Sequence, residues 1–318
     1  NTAQGILAFG NDDNGKFQLQ GEVQLQLHNL FKGGEEFALN WQSSGNSSQI
    51  LHLHVSVPYL IFGVLGVAAS FDIDRRDSLY INTGGQIGLN TRVGNFGKAS
   101  LYVSMHRNNN TSGIEKNTIV NLTKYGISYE YTKYDSYLIP RKGLNLTLDI
   151  SAGTRKVTGS ALTANKNGGS IEALLHASYL QPLSNLIGLQ LKMQGQAKEL
   201  FSSSEELFLS ELYTIGGTYT LRGFNERSIF ASSYVIATIE PRLYYGANSY
   251  LLALLDYAIA QSKRMNSNNT NQLFSFGVGT QFETRAGIFS VTYALGKDFD
   301  NSISFRDSKI HLGYKAVF

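Results

Sequence analysis

An arginine and two carboxylates are the residues of this chain best placed to do chemistry together. Leu221-Arg222-Gly223-Phe224 lies in a long glycine-rich loop, and the two strand-like segments that follow each carry one lone acid, Glu240 and Asp256. A guanidinium offers five donors in a planar fork and stays charged, so away from water it needs fixed anionic acceptors. Charge-assisted hydrogen bonds from one arginine to two acids would pin the loop in place. That chemistry is structural: it holds a segment and makes or breaks no covalent bond. It also requires both carboxylates to face the same way, which depends on the elements that carry them.

Parity supplies the answer for these two segments. Along Val235 to Leu243, the residues Val235, Ala237, Ile239 and Leu243 fall on one face of a strand and Glu240 on the other. Leu251, Ala253 and Leu255 likewise oppose Asp256. The same period of two recurs upstream. Phe17, Leu19, Val23, Leu25 and Leu27 alternate with Gln18, Gln20, Glu22, Gln24, Gln26 and His28; Leu51, Leu53, Val55 and Val57 oppose His52, His54 and Ser56. Leu144, Leu146, Leu148 and Ile150 oppose Asn145, Thr147, Asp149 and Ser151, and Leu189, Leu191 and Met193 oppose Gln190, Lys192, Gln194 and Gln196. A soluble sandwich could show this in one strand, but a glutamine-rich face repeating along the whole chain points to a wet lumen.

Composition agrees. The 318 residues include 32 Gly, 4 Pro, 18 Tyr, 18 Phe and no Cys, with only 16% charged, against about 25% in ordinary soluble proteins. No stretch reaches the roughly 18 apolar residues of a membrane-spanning helix. The longest apolar region, Val55 to Ala69, is interrupted by Ser56, Pro58, Gly63 and Gly66. A closed β-barrel is the remaining way to cross a bilayer with every backbone group paired. The net charge of +3 is too small to imply nucleic acid, and the lack of Cys excludes disulfides and thiolate metal sites.

Counting alternating segments from Gly5 gives about sixteen strands in one barrel domain over residues 1–318, an all-β, antiparallel, up-and-down transmembrane architecture. Asn29 to Gly34, Gly94 to Gly97 and Gly246 to Asn248 read as short turns. Asn108 to Lys116, Thr158 to Gly169, Phe201 to Ser228 and Gln261 to Asn271 read as longer outer loops, polar and rich in Asn, Ser and Gly. On this count the loop carrying Arg222 is the sixth. The last segment has an outward face of Ile310, Leu312, Tyr314, Ala316 and Phe318, with Gly313 between, and it resembles the β-signal by which outer-membrane barrels present their final strand for assembly.

Gly216-Gly217 followed by Leu221-Arg222-Gly223-Phe224 resembles the sixth-loop motif of the barrel-assembly and two-partner-secretion superfamily, the BamA/TamA/TpsB-like outer-membrane proteins. The resemblance runs from Gly5 to Phe318 and is strongest from Gly216 onward. It implies a sixteen-stranded barrel in the bacterial outer membrane, with the sixth loop folded back into the lumen and Arg222 paired with Glu240 and Asp256. It further implies a lateral gate between a first strand around Ile6, Leu7, Ala8 and Phe9 and a last strand around Leu312, Gly313, Tyr314, Ala316 and Phe318. An incoming strand would satisfy the open edges of that seam by β-augmentation. The POTRA domains that receive clients in the superfamily are not found within residues 1–318, and no signal peptide is visible at Asn1, which the resemblance leaves as a trimmed chain, a processed chain or a short member.

The implied function is a polypeptide insertase or translocase, whose partners are outer-membrane lipids, a client polypeptide and periplasmic or lipoprotein accessory subunits. A two-partner-type secretion pore, a scaffold barrel and a passive porin are the alternatives. No Gly-x-Ser-x-Gly nucleophile and no phosphate-binding glycine loop is present, so the expectation is a non-catalytic protein without cofactor. His52 and His54 have the i, i+2 spacing of metal ligands but no third ligand nearby, and they read as lumen-lining side chains. Asn11-Asp12-Asp13-Asn14-Gly15 reads as a hairpin turn, and Asp72, Asp74, Arg75, Arg76 and Asp77 as a mixed-charge loop that is solvated or faces lipid headgroups.

Overall fold

The structure is a computed structural model that describes residues 1–11, 17–45, 48–113, 115–136, 139–159, 166–202, 206–264, 267–298 and 308–317. Eleven strands come first: β1 (Thr2–Asn11), β2 (Phe17–His28), β3 (Glu36–Gly45), β4 (Ser48–Ile61), β5 (Leu65–Arg76), β6 (Tyr80–Val93), β7 (Gly97–Asn110), β8 (Ile119–Tyr134), β9 (Gly143–Thr158), β10 (Lys166–Pro182) and β11 (Ile187–Leu200). A 3-10 turn (Leu209–Glu211) and a short hairpin, β12 (Tyr213–Ile215) and β13 (Ile229–Ala231), follow. The chain then returns to the wall through β14 (Ser233–Gly246), β15 (Ser249–Arg264), β16 (Ser267–Thr284), β17 (Gly287–Asp298) and β18 (Lys309–Val317). All strands except β12 and β13 form one closed antiparallel barrel in sequence order, with β11 beside β14 and β18 beside β1. Sixteen strands make the cylinder, as the alternation predicts.

The pleat sorts side chains as the sequence anticipates. On β14, Val235, Ala237, Ile239 and Leu243 are exposed on the outer wall, while Tyr234, Ile236, Thr238, Glu240 and Arg242 are buried inside. On β15, Leu251 and Leu255 are exposed and Leu254, Asp256, Ala258 and Ala260 are buried. The largest buried apolar cluster lies between the sixth loop and this wall: Ile215, Leu221 and Ala231 from the loop meet Tyr234, Ile236, Ala258, Ala260 and Leu273 from the strands. A barrel of this width cannot fill its interior with wall side chains alone, so a folded loop supplies the core.

Several segments that read as loops are strand. The expected loop Gln261 to Asn271 is mostly a hairpin, with Gln261 opposite Thr270 and Lys263 opposite Asn268. Asn108 to Asn110 belong to β7, and β10 starts at Lys166, inside the expected loop Thr158 to Gly169. Asp72, Asp74, Arg75 and Arg76 belong to β5, leaving residues 77–79 as the connection. The cause is common to all. A bilayer needs only about 9–11 residues per tilted strand, and these strands continue pairing beyond it into water, where both faces become polar and the alternation disappears. Asp12 to Gly15 lie outside the described residues.

Candidate functional site

The described part of loop 6, residues 206–232, enters the lumen because its glycines allow it to double back. Gly216, Gly217 and Gly223 hold φ of +117°, +95° and +85°, a region that L side chains avoid. Thr220 closes the turn, its hydroxyl accepting from the Gly216 amide at 2.8 Å and donating to the Gly216 carbonyl at 2.9 Å. Leu221 is then fully buried in the apolar cluster. Gly223 lies flat on β17, where an added Cβ would come within 2.5 Å of the Gly296 amide nitrogen, and Gly296 in turn leaves room for the Phe224 ring.

Arg222 reaches both acids at once. Its Nη1 donates to Glu240 Oε2 at 2.7 Å, its Nη2 to Asp256 Oδ1 at 2.9 Å and its Nε to Asp256 Oδ2 at 3.2 Å. The backbone amide of Arg222 also donates to Asp256 Oδ2, at 3.3 Å. Neighbouring strands hold the acids in turn: Thr238 and Ser275 donate to Asp256, and Arg242 Nε donates to Glu240 Oε1 at 2.9 Å. Burial works against the guanidinium charge, but the hydrogen bonds and charge of Asp256, with Glu240 beside it, hold Arg222 above its ordinary range. The arrangement is a clamp: four hydrogen bonds run from Arg222 to the two acids, and Thr238, Ser275 and Arg242 fix those acids in place.

The loop has further anchors that the sequence reading missed. Arg155 on β9 makes a bidentate pair with Glu211, Nε to Oε1 at 2.8 Å and Nη2 to Oε2 at 2.7 Å, with side chains 2% and 0% exposed. Lys198 donates to the Glu211 carbonyl at 2.8 Å. On another side of the barrel, Arg227 pairs with Asp74 of β5 at 2.6 Å, and Arg76 donates to the Arg227 carbonyl at 2.7 Å. Asp74 and Arg76, two of the residues assigned to a mixed-charge loop, thus hold loop 6. Inward parity marks Arg155 and Asp74 as lumen groups, but which loop residue each would meet depends on a path the sequence does not encode. His52 has Asp72 as its partner, and its ring stacks on His54 at 6.5 Å; among the described residues no three His, Cys, Asp or Glu side chains come together as metal ligands.

The first and last strands meet only briefly. Thr2 pairs with Val317, Ala3 with Ala316 and Gln4 with Lys315, whereas β1 pairs with β2 from Thr2 to Asn11. Ile6, Leu7, Ala8 and Phe9 are therefore bonded to β2 alone among the described residues. Leu312, Gly313 and Tyr314 pair with Val291, Ser290 and Phe289 of β17 and, among the described residues, with none across the seam. Extending the same register would set Leu7 opposite Leu312 and Ile6 opposite Gly313. Ala316 lies in the paired stretch, Phe318 outside the described residues. Behind the seam is a cavity of about 540 Å³, lined by Gln4, Glu22, Gln42, Leu312 and Lys315 together with Thr218, Tyr219 and Glu226 of loop 6. Thr218 Oγ1 also hydrogen-bonds His311 Nδ1 on β18 at 2.9 Å.

The chain matches the Omp85 superfamily domain over residues 29–305. No curated protein matches it. Among solved structures it is similar to BamA from Haemophilus ducreyi lacking POTRA domains 1-3, with 14% identity, a TM-score of 0.68, and 99% of this chain and 69% of that one covered. CdiB from Escherichia coli has 14% identity and a TM-score of 0.62 over 100% and 62% of the two chains. CdiB from Acinetobacter baumannii has 16% identity and 0.59 over 99% and 59%. At these identities the likeness is one of fold, and the chain spans from 59% to 69% of those structures.

Proposed function

Because the chain belongs to the Omp85 superfamily, we propose that it is a non-enzymatic barrel of the bacterial outer membrane that moves client polypeptides into the membrane through a lateral gate. The observation that carries this reading is the seam: three paired positions between β1 and β18, then open backbone edges on both. Unpaired N–H and C=O groups at membrane depth are costly, and an incoming strand satisfies them by adding to the sheet. Accessory subunits and a surrounding lipid layer complete the proposed machine.

A second reading is a two-partner-type secretion pore, in which the client passes along the lumen. The polar wall favours it, since Gln190 and Gln194 face inward and would line a conduit once loop 6 moved. One experiment separates the two. The chain has no cysteine, so Leu7→Cys with Leu312→Cys gives a seam that oxidation seals and a reductant reopens. In the native host, sealing is expected to stop insertion of client barrels and reopening to restore it. Export that continues through a sealed seam favours the lumen route, and full insertion with the seam sealed rejects the gate.

A further inference from the structure

The apolar run from Val55 to Ala69 exceeds what the lipid-facing wall needs, and its centre is the turn joining β4 to β5. Tyr59 and Phe62 hold left-handed φ of 58° and 51°, an outlier conformation for bulky side chains. The pairing of β4 with β5 shifts register between Val57 and Ile61. This strained backbone projects apolar side chains off the barrel end: Phe62 is 96% exposed, Leu60 63% and Val64 60%. The neighbouring β2–β3 turn adds Phe31, 83% exposed, and Leu30. The two turns pack side by side, since a Cβ on Gly34 would lie 3.2 Å from Pro58 Cγ. Phe96 of the β6–β7 turn extends the patch, and Leu183 and Leu186 form a smaller one on the β10–β11 turn.

Cations sit among these aromatics. The Arg92 guanidinium lies 5.7 Å from the Tyr59 ring centre, the Lys133 ammonium 5.1 Å from that of Phe96, and Lys32 is exposed beside Phe31. The acid of the same turn is engaged by its own backbone: Glu35 accepts from the amides of Phe31 and Gly33, at 3.3 and 3.1 Å. Glu36 has Lys98 and His28 at 4.0 Å.

We propose that these turns form a lip that docks into the headgroup layer of the adjoining leaflet and prefers anionic phospholipid. The inference rests on the barrel being in a membrane and is independent of the gate. Large exposed apolar side chains in strained turns are stabilised by burial at the acyl boundary. A cation over an aromatic face keeps its outer edge free for phosphate. Lipid is the occupant because the patch is continuous with the lipid-facing wall, through Val55 and Phe71 on β4 and β5 and Leu89 and Val93 on β6, all exposed on the outside.

Trp41 is the chain's single tryptophan, so Trp41→Phe with Phe62→Trp reports on this lip alone. A second chain, Trp41→Phe with Leu101→Trp, reports insertion from the wall. Both are folded into phosphatidylcholine vesicles with and without phosphatidylglycerol, and folding is checked by heat-modifiable electrophoresis. The expected result is that lipids brominated near the headgroup quench the residue-62 probe, that acrylamide does not, and that brominated phosphatidylglycerol is preferred. Lys32→Gln and Arg92→Gln are each expected to lower that preference about fivefold, the equivalent of ~1 kcal/mol per cation. With the wall probe quenched by lipid, free access of acrylamide to position 62 overturns the proposal. Equal quenching by the two brominated lipids overturns its anionic preference. Shielding from both quenchers that occurs only in native membranes would mean that a protein covers the lip, which also overturns it.

Discussion

At the scale of single residues, the clamp on loop 6 depends on electrostatics in a site with little water. Asp256 is fully buried and Glu240 nearly so; Arg222 bridges the two and is the charged partner of Asp256, whereas Glu240 also pairs with Arg242. Arg222→Ala would leave the buried Asp256 with the Thr238 and Ser275 hydroxyls and Glu240 with Arg242 alone, at a cost of about 3 kcal/mol, roughly a hundredfold in the equilibrium for loop release. The expected outcome is faster protease cleavage between β12 and β13 in an otherwise folded, heat-modifiable barrel. Cleavage at the wild-type rate would show that the other anchors suffice. Sequence revealed this triad because each acid is the lone inward carboxylate on a strand with an apolar outward row, close behind the motif. Arg155 and Glu211 form an equally buried pair, yet 56 residues separate them, and no local pattern joins a loop acid to a distant strand.

Elements add a geometric condition that charge alone does not meet. Loop 6 reaches its acids only if the backbone lies against β17, and Gly223 combines a left-handed φ with contact to the Leu295 and Gly296 backbone. Gly223→Ala is therefore expected to loosen the loop by an amount of order 1–3 kcal/mol, although Arg222 and both carboxylates are untouched. The same cleavage assay measures it, and unchanged protection would mean that β17 yields to the methyl group. Gly296→Ala should act alike, because its Cβ would meet the Phe224 ring at 2.7 Å. Strand identity was legible throughout the membrane band, where lipid and lumen impose opposite demands on successive residues. Strand ends were not: outside that band the hairpin of β15 and β16 keeps its pairing while both faces turn polar.

For the whole molecule, the decisive feature is that a closed barrel has one short joint. The backbone amides directed across the seam, in β1 beyond Gln4 and in residues 309–314, are expected to exchange with solvent deuterium faster than amides of β8 and β9, which pair from Ile119–Thr158 to Tyr134–Gly143. Equal protection around the cylinder would mean that the seam is sealed at rest and would weaken the gate. The sequence by itself determined the class of solvent on each face, the strand count and the arginine with its two acids, because period-two alternation and a short-range motif are local properties written in consecutive residues. Only the tertiary structure decided how short the seam is, which distant side chains hold loop 6, and that one rim of turns is apolar. Each of those depends on closing the sheet into a cylinder, which brings residues from opposite ends of the chain within hydrogen-bonding distance.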